Sequence, residues 1–440
     1  MLILIGSPIL VFAQPVIQPF TFSTLAHDLP MVRHGSLSWG DIDGDGDLDL
    51  FLSGETTSGL VSGIYENHGL ADDGTAHFIA LPYPIGTVVY SFSSWADFDG
   101  DGDLDLLVAG SSTLTHPYSP STKLYRNDGN AFVDTGVNFP GLHSGSSSWG
   151  DIDRDGDLDV ILTGASASDD VVTVFAQNNG GGQFQMIDDA LPGIGYGDSA
   201  LGDMDNDGDL DVVLSGSSAG GFHTRLYLNN AGQFTDTGQE LGSFAFSSVE
   251  LGDYDGDSDL DLIVGGGEIS ASLMDGQVRL WNNNAGALSS VAHSFEGVVA
   301  GDITSGDYDN DGDLDLFFLG AVTVLGRRNA RIYRNDGGNT FFNSSNLIGS
   351  VFSDVECGDF DADGDLDLLS SGYTPYGQST TNIYLNQRQV RPTIPSAPSL
   401  LESTVGEGVV ALRWSHAAET DPSNSMVSYN VRVGTEPGLS

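Results

Sequence analysis

An all-β fold, a seven-bladed propeller, is what the 440-residue chain predicts. Three observations carry that expectation. An aspartate-rich stretch recurs seven times at a near-constant interval, strand and turn landmarks keep one register inside every interval, and the two ends of the array carry complementary remainders.

The stretch first occurs as GDIDGDGDLDLFLSG, residues 40–54, with aspartate at 41, 43, 45, 47 and 49. A plain strand would align these five charges on one face, with nothing to offset their repulsion. A loop around a hard cation tolerates them, because Ca²⁺ takes about six to eight oxygen ligands and favours carboxylates. In that reading Asp41, Asp43 and Asp45 give side-chain oxygens, Gly46 makes the sharp turn, Asp47 gives its backbone carbonyl and Asp49 closes the shell. A solvated acidic turn would account for one copy equally well, but not for seven. The other copies place the same ligands at Asp97, Asp99, Asp101, Asp103 and Asp105; at Asp151, Asp153, Asp155, Asp157 and Asp159; and at Asp203, Asp205, Asp207, Asp209 and Asp211. The last three have Asp253, Asp255, Asp257, Asp259 and Asp261; Asp307, Asp309, Asp311, Asp313 and Asp315; and Asp359, Asp361, Asp363, Asp365 and Asp367. About seven structural Ca²⁺ ions are therefore expected, one per loop.

Successive copies start 50 to 56 residues apart, an interval suited to a propeller blade. EF-hands are excluded, because the twelfth loop position is Leu52, Val108, Leu162, Leu214, Val264, Phe318 or Ser370 and never the required Glu. The eighth position is always Leu, and short apolar runs such as LDLLVAG and LDVILTG follow, which read as a strand buried on both faces. Next comes an apolar pair with Asn and a glycine turn, as in IYENHG at 64, LYRNDG at 124 and IYRNDG at 332. Here Asn and Gly are expected to supply the positive φ of a tight hairpin. A fourth strand is marked by Phe78, Phe132, Phe184, Phe234, Leu288 and Phe341. Segments such as YSFSSWADFD then lead into the next acidic loop, giving four strands per blade.

The last repeat stops at NIYLNQRQV, one strand short, while Phe22 stands 19 residues before Asp41 with no three strands ahead of it. Residues near 20–27 should therefore complete the seventh blade and remove an open sheet edge. The propeller is assigned to 20–390 on this basis.

Outside it, residues 1–13, MLILIGSPILVFA, resemble the apolar core and cleavage site of a secretory signal peptide, truncated upstream because no basic residue precedes the apolar run. Residues 391–398 form a Pro-rich linker. Residues 399–440 alternate as half-buried strands, with Trp414 and Tyr429 spaced as in a fibronectin type III domain, but they amount to less than half of one. A partial β-sandwich of that kind is expected after the propeller.

With 14 basic residues against 62 acidic and a formal charge of −48, nucleic acid is excluded as a partner, as is an anionic membrane surface. No segment is long and apolar enough to span a bilayer. The lone cysteine, Cys357, allows no intrachain disulfide.

The seven register-keeping DxDxDGxxD loops resemble the FG-GAP repeats of integrin α-subunit propellers and the related VCBS-type repeats of exported bacterial proteins. The resemblance covers about residues 20–390. It implies Ca²⁺ in loops on one face, with ligand contacts mostly on the other. One departure is Ser258, at the glycine position of the fifth loop, where a non-Gly residue must accept strain and weaken the site.

Topology puts the variable loops on the face opposite the acidic ones. His116, Tyr118, Phe222, His223, Tyr373 and Tyr376 lie in those loops and are the candidate ligand contacts, although packing beneath loops would also account for each. Three functions remain open: a non-catalytic binding or adhesion module for an extracellular protein or glycan, a spacer in a large surface protein, and the scaffold of a Ca²⁺-dependent polysaccharide-degrading enzyme. The first is preferred. There is no HExxH motif, and Arg327 and Arg328 form the only basic pair of note in the propeller, read as solvated loop charge. The expected setting is a secreted or cell-surface protein, with the propeller monomeric inside a longer multidomain chain.

Overall fold

The computed structural model describes residues 20–187, 191–270, 273–323, 326–387, 401–406 and 409–414. The signal-like segment 1–13, the linker 391–398 and Tyr429 lie outside the described residues.

Seven four-stranded antiparallel sheets make up the propeller. In the first blade the strands run, from the channel outward, Leu37–Gly40, Asp49–Thr56, Gly59–Leu70 and Ala76–Ala80. The second strand of each blade is sandwiched between neighbouring blades, so Asp105–Ser111, Asp159–Ala165 and Asp315–Ala321 are buried along their whole length. Continuous apolar runs, rather than alternation, follow from that position. The ring closes as the end remainders require. Phe22–Leu25 pairs with Ser379–Asn386, Phe22 opposite Asn386 and Leu25 opposite Ile383. Phe20 and Phe22 anchor this strand on Tyr308 of the sixth blade, with ring centroids 6.3 and 6.2 Å away.

In six of the seven acidic loops the invariant Leu fills a gap left by glycine in the neighbouring blade. A Cβ on Gly150 would stand 2.5 Å from Leu210 Cδ1, and one on Gly358 2.6 Å from Leu48 Cδ1, the latter across the closing junction. Gly and Leu thus form one interlocking pair.

The Asn of the third-strand landmark does something other than the expected turn. It is not among the left-handed residues; glycines such as Gly69, Gly129 and Gly180 take the positive φ instead. Asn178 is fully buried at the end of its strand. Its amide donates to the carbonyls of Phe98 in the preceding blade (2.8 Å) and Leu158 in its own (3.2 Å), and its Oδ1 accepts from Gly180 N. The inter-blade bond recurs from Asn127 to Ile42, Asn229 to Ile152, Asn283 to Met204, Asn335 to Tyr254 and Asn386 to Tyr308. A short side chain with both a donor and an acceptor can satisfy a turn and a neighbouring loop together, which is why Asn stands there.

Beyond the propeller, Leu401–Gly406 and Val409–Trp414 pair as a hairpin.

Asn178→Ala removes three side-chain hydrogen bonds and strands the Phe98 carbonyl, so it should cost about 2–4 kcal/mol in denaturant unfolding. A chain lacking residues 20–27 exposes the edge of Ser379–Asn386. It should melt well below the intact protein, and an unchanged melting temperature would refute the closure.

Candidate metal loops and ligand face

Each acidic loop winds on its own backbone. In the second loop the first carboxylate accepts N–H bonds from Asp101 and Gly102, both at 3.0 Å, and Asp101 Oδ1 accepts from Asp103 N at 3.0 Å. Two positions per loop take left-handed φ: the expected sixth (Gly46 +97°, Gly102 +97°) and also the fourth, which the sequence reading missed. At the fourth position Arg154 (+64°) and Ala362 (+54°) accept a conformation that favours Gly or Asn. Ser258 does take the strained form, at +76°, and its N–H still reaches Asp253 Oδ2 at 2.9 Å, so the loop keeps its shape.

The winding gathers carboxylates. Oxygens of Asp41, Asp43 and Asp45 lie within 4.8 Å of one another, as do those of Asp97, Asp99 and Asp101, and those of Asp151, Asp153 and Asp159. Asp203, Asp205 and Asp211 do the same, and so do Asp253, Asp255 and Asp261. The ninth aspartate is buried in every loop. Asp49 accepts from Ile42 N at 3.1 Å through Oδ2 and from Asn67 N at 2.8 Å through Oδ1, and every loop repeats this arrangement. Burial, aided by the other loop carboxylates and opposed by those two amides, pushes Asp49 up to about 7, Asp105 to about 7 and Asp315 to about 9. In three loops the seventh aspartate turns its side chain to the adjoining loop: Asp209 accepts from Arg154 of the third loop, Asp259 from Asn206 of the fourth and Asp365 from Asn310 of the sixth, each at 2.7 Å. That leaves its backbone carbonyl for a ligand role.

These residues fit a hard cation. The donor set is all oxygen, and Asp99 Oδ1 and Asp151 Oδ1 are buried carboxylate oxygens with no hydrogen-bond partner. The acidic clusters can bind metal.

The opposite face is built by a feature of the innermost strands that the sequence reading passed over. Seven residues before each acidic loop, His34, Tyr90, Ser144, Tyr196, Phe246, Ala300 and Phe352 all have φ between +49° and +53°. Each is a bulge at the channel mouth. Their amides link blade to blade: Tyr90 N to His34 O (2.6 Å), Ser144 N to Tyr90 O (2.7 Å), Tyr196 N to Ser144 O (2.7 Å) and His34 N to Phe352 O (3.2 Å). Phe352 N donates in turn to Ala300 O (2.6 Å).

The side chains form a belt of touching rings around the mouth. Phe352 meets His34 (4.9 Å between centroids), His34 meets Tyr90 (5.2 Å), and Tyr90 meets Tyr118 (5.7 Å). Tyr118 then meets His143 (4.5 Å), His143 meets Tyr196 (6.1 Å) and Tyr196 meets Phe246 (6.0 Å). His116 stands edge-on to Tyr118 at 5.9 Å. Asp169 supplies a polar centre, with its Oδ1 accepting from Tyr196 Oη at 3.0 Å and lying 3.7 Å from His143 Nε2. Its Oδ2 lies 3.6 Å from His116 Nδ1. Burial depresses His143, and burial followed by the Asp169 contact raises Tyr196.

Of the six expected ligand residues, His116 and Tyr118 are therefore in the belt. Tyr373 flanks it, beneath the Arg33 guanidinium at 4.8 Å, while Arg33 grips Glu55 with two bonds of 2.9 and 2.8 Å. Phe222, His223 and Tyr376 are not brought into it. His223 lines a separate cavity with Arg225 and Tyr227, and Tyr376 stands 83% exposed at a loop tip. Arg327, expected to be solvated loop charge, pairs with Glu296, which also accepts from Arg331. His34, Tyr90, Tyr196, Phe246 and Phe352 share one position, seven residues before their loops, but no common residue type marks it in the sequence.

A family model described as FG-GAP-like repeat matches residues 41–108, 97–162, 151–214, 203–264 and 307–370. Each match starts at the first aspartate of one loop and ends at the twelfth position of the next. No curated protein matches the chain.

The raised carboxyls give the metal-free protein a pH dependence. In the folded state Asp49, Asp105 and Asp315 keep protons that the unfolded chain, with carboxyls at 3.8, has already released. Stability is then fully present at acid pH and falls as pH rises from about 4 through about 7 to 9. Protein stripped of divalent ions should melt several degrees lower at pH 8 than at pH 5.5, and the opposite slope in a pH series of thermal melts would contradict these burials.

Proposed function

The chain belongs to the FG-GAP-like repeat family, and from that premise we propose that it is an exported, calcium-stiffened binding module whose aromatic belt takes a glycan. An FG-GAP propeller is a fold of binding and structural modules and is typically non-catalytic. The single observation that carries the reading is the continuous run of rings from Phe352 to Phe246 around Asp169 at the channel mouth. Aromatic faces offer apolar area at low entropic cost, and the Tyr, His and Asp edges supply hydrogen bonds, the combination that suits the two faces of a sugar ring.

Calcium is proposed for the acidic loops. The first, third and fifth aspartates, the seventh backbone carbonyl and the ninth carboxylate would hold it. The ion would supply charge neutralisation and rigidity, leaving the chemistry of recognition to the other face. A secreted or cell-surface location is proposed because such loops need a calcium-rich compartment; among the described residues no helix is long and apolar enough to cross a membrane. The propeller over 20–390, the linker 391–398 and a fibronectin type III-like segment over 399–440 are proposed as one stretch of a longer surface chain.

A glycan and matrix-protein array, run beside a polysaccharide turnover screen, tests this. Glycan binding should be lost in Tyr118→Ala and Tyr90→Ala and kept in His68→Ala, which lies on the acidic-loop face. Protein-only binding would redirect the assignment to a protein partner, turnover would make the chain an enzyme, and silence would leave a spacer. Calcium added to stripped protein should raise the melting temperature by many degrees, and an unchanged melt would end the calcium reading. Ser258→Gly should remove the weakest phase of a calorimetric Ca²⁺ titration by relieving the +76° φ.

A further inference from the structure

The channel itself carries charge that neither the acidic loops nor the belt uses. Innermost strands of the fourth to seventh blades bring five carboxylates to it: Asp198, Asp302 and Asp354 five residues before their loops, and Glu250 and Glu356 three before. The first three blades have Ser36, Phe92 and Ser146, then Ser38, Ser94 and Ser148, at those positions, so the charge lies on one arc.

A cavity of about 280 Å³ is lined by Asp198, Asp302, Asp354 and Glu356 among serines, glycines and two apolar side chains, with no Lys, Arg or His. Two of the carboxylates converge on one donor. Val355 N–H reaches Asp302 Oδ2 at 3.2 Å and Asp354 Oδ1 at 3.1 Å. Ser248 Oγ fixes Asp302 through Oδ1 at 2.7 Å, and Leu37 N fixes Asp354 through Oδ2 at 2.7 Å. Glu250 is held through Oε1 by the Ser305 amide and hydroxyl, at 3.2 and 2.6 Å.

Two features point to a missing occupant. Glu356 has no hydrogen bond to its carboxylate among the described residues, only like-charged neighbours in Asp354, Asp302 and Glu250. Ser247, more than nine-tenths buried, lines the same cavity with a hydroxyl that has no partner. A buried hydroxyl left unpaired costs about 1–3 kcal/mol unless a ligand or water meets it. Several carboxylates this close do not stay ionised together without a counter-charge.

We propose that the channel binds one hard divalent cation, of the Ca²⁺ class, held by Asp302, Asp354 and Glu356, with Asp198 and Glu250 adding charge and Ser247 a neutral oxygen. The donor set is all oxygen, backbone amides hold Asp302 and Asp354 in place, and the cavity has room for the ion and several waters. Burial holds all five carboxyls above the ordinary carboxylate range, so the competing occupant is a proton shared between Asp302 and Asp354. This site stands apart from the acidic loops and does not rest on their occupancy.

Crystals of the intact chain soaked in Mn²⁺ test it by anomalous scattering. A peak on the channel axis within coordinating distance of Asp302, Asp354 and Glu356 is expected. Loop peaks without an axial one overturn the proposal, whereas an axial peak without loop peaks would overturn the loop reading alone. In solution, Glu356→Gln removes a charge without removing a hydrogen bond. After gel filtration in Ca²⁺ buffer it should retain one ion fewer per chain than the unaltered protein by elemental analysis. The Asp302→Asn/Asp354→Asn pair should show the same loss, and equal ion counts would establish the shared proton instead.

Discussion

The rest of the propeller hangs on one interaction repeated seven times, the buried ninth aspartate bonded to two backbone amides. Through Oδ2 it fixes the second residue of its own acidic loop, and through Oδ1 it fixes the Asn that ends the third strand. In six blades that Asn then reaches the loop of the preceding blade. One carboxylate therefore sets the loop, the blade and the junction between blades. The cost is a carboxyl pushed well above its ordinary range by burial. A fold that buries seven such groups is stabilised by protons or cations, and the convergent carboxylates of the loops can bind metal.

The same ring is stitched differently at its two ends. On the acidic face the junctions use Asn amides and the Gly–Leu interlock. Around the channel they use short polar side chains: Ser36 to Ser93, Ser94 to Ser147 and Ser146 to Ser199, each at 2.8 Å. From the fourth blade onward, aspartates aimed at backbone amides take over, Asp198 to Val249 N, Asp302 to Val355 N and Asp354 to Leu37 N. Serine and aspartate do the same mechanical work there, as acceptors at similar reach, but only aspartate brings charge. The channel acidity is thus more than seven junctions require, since the first three manage with serine.

Much of this was legible in the sequence because it repeats. Seven Asp loops, the Leu at the eighth position and the end remainders fixed blade number, strand order and closure. Less legible were features set by backbone twist rather than by residue pattern. The bulges at His34, Tyr90 and their counterparts break the two-residue alternation, so the side chains facing the channel cannot be assigned from periodicity alone. Residue identity at that position, His, Tyr, Ser, Tyr, Phe, Ala and Phe, hides a shared conformation that only φ reveals. Asn67 and its equivalents misled for the opposite reason. Asn before Gly is a familiar turn signal, but burial gave the side-chain amide loop carbonyls to bond, Leu48 O for Asn67 and Ile42 O for Asn127.

Function has to reside where the sevenfold pattern is broken, because a ligand occupying one place cannot use seven equivalent ones. The acidic loops vary little, which suits a structural ion. At the opposite mouth the rings run through every blade from the seventh round to the fifth, and they stop at Ala300 in the sixth. Inside the channel the carboxylates occupy the fourth to seventh blades only. The belt and the acidic arc overlap but are not coincident, so the gap in the belt opens beside Asp302 and Asp354. A ligand lying on the rings would thus meet the channel at its most negative sector, where a bound cation would turn a repulsive floor into one that accepts hydroxyl or carboxylate oxygens. The propeller keeps its repeats for stability, and under the proposed function recognition falls on the two arcs where they differ.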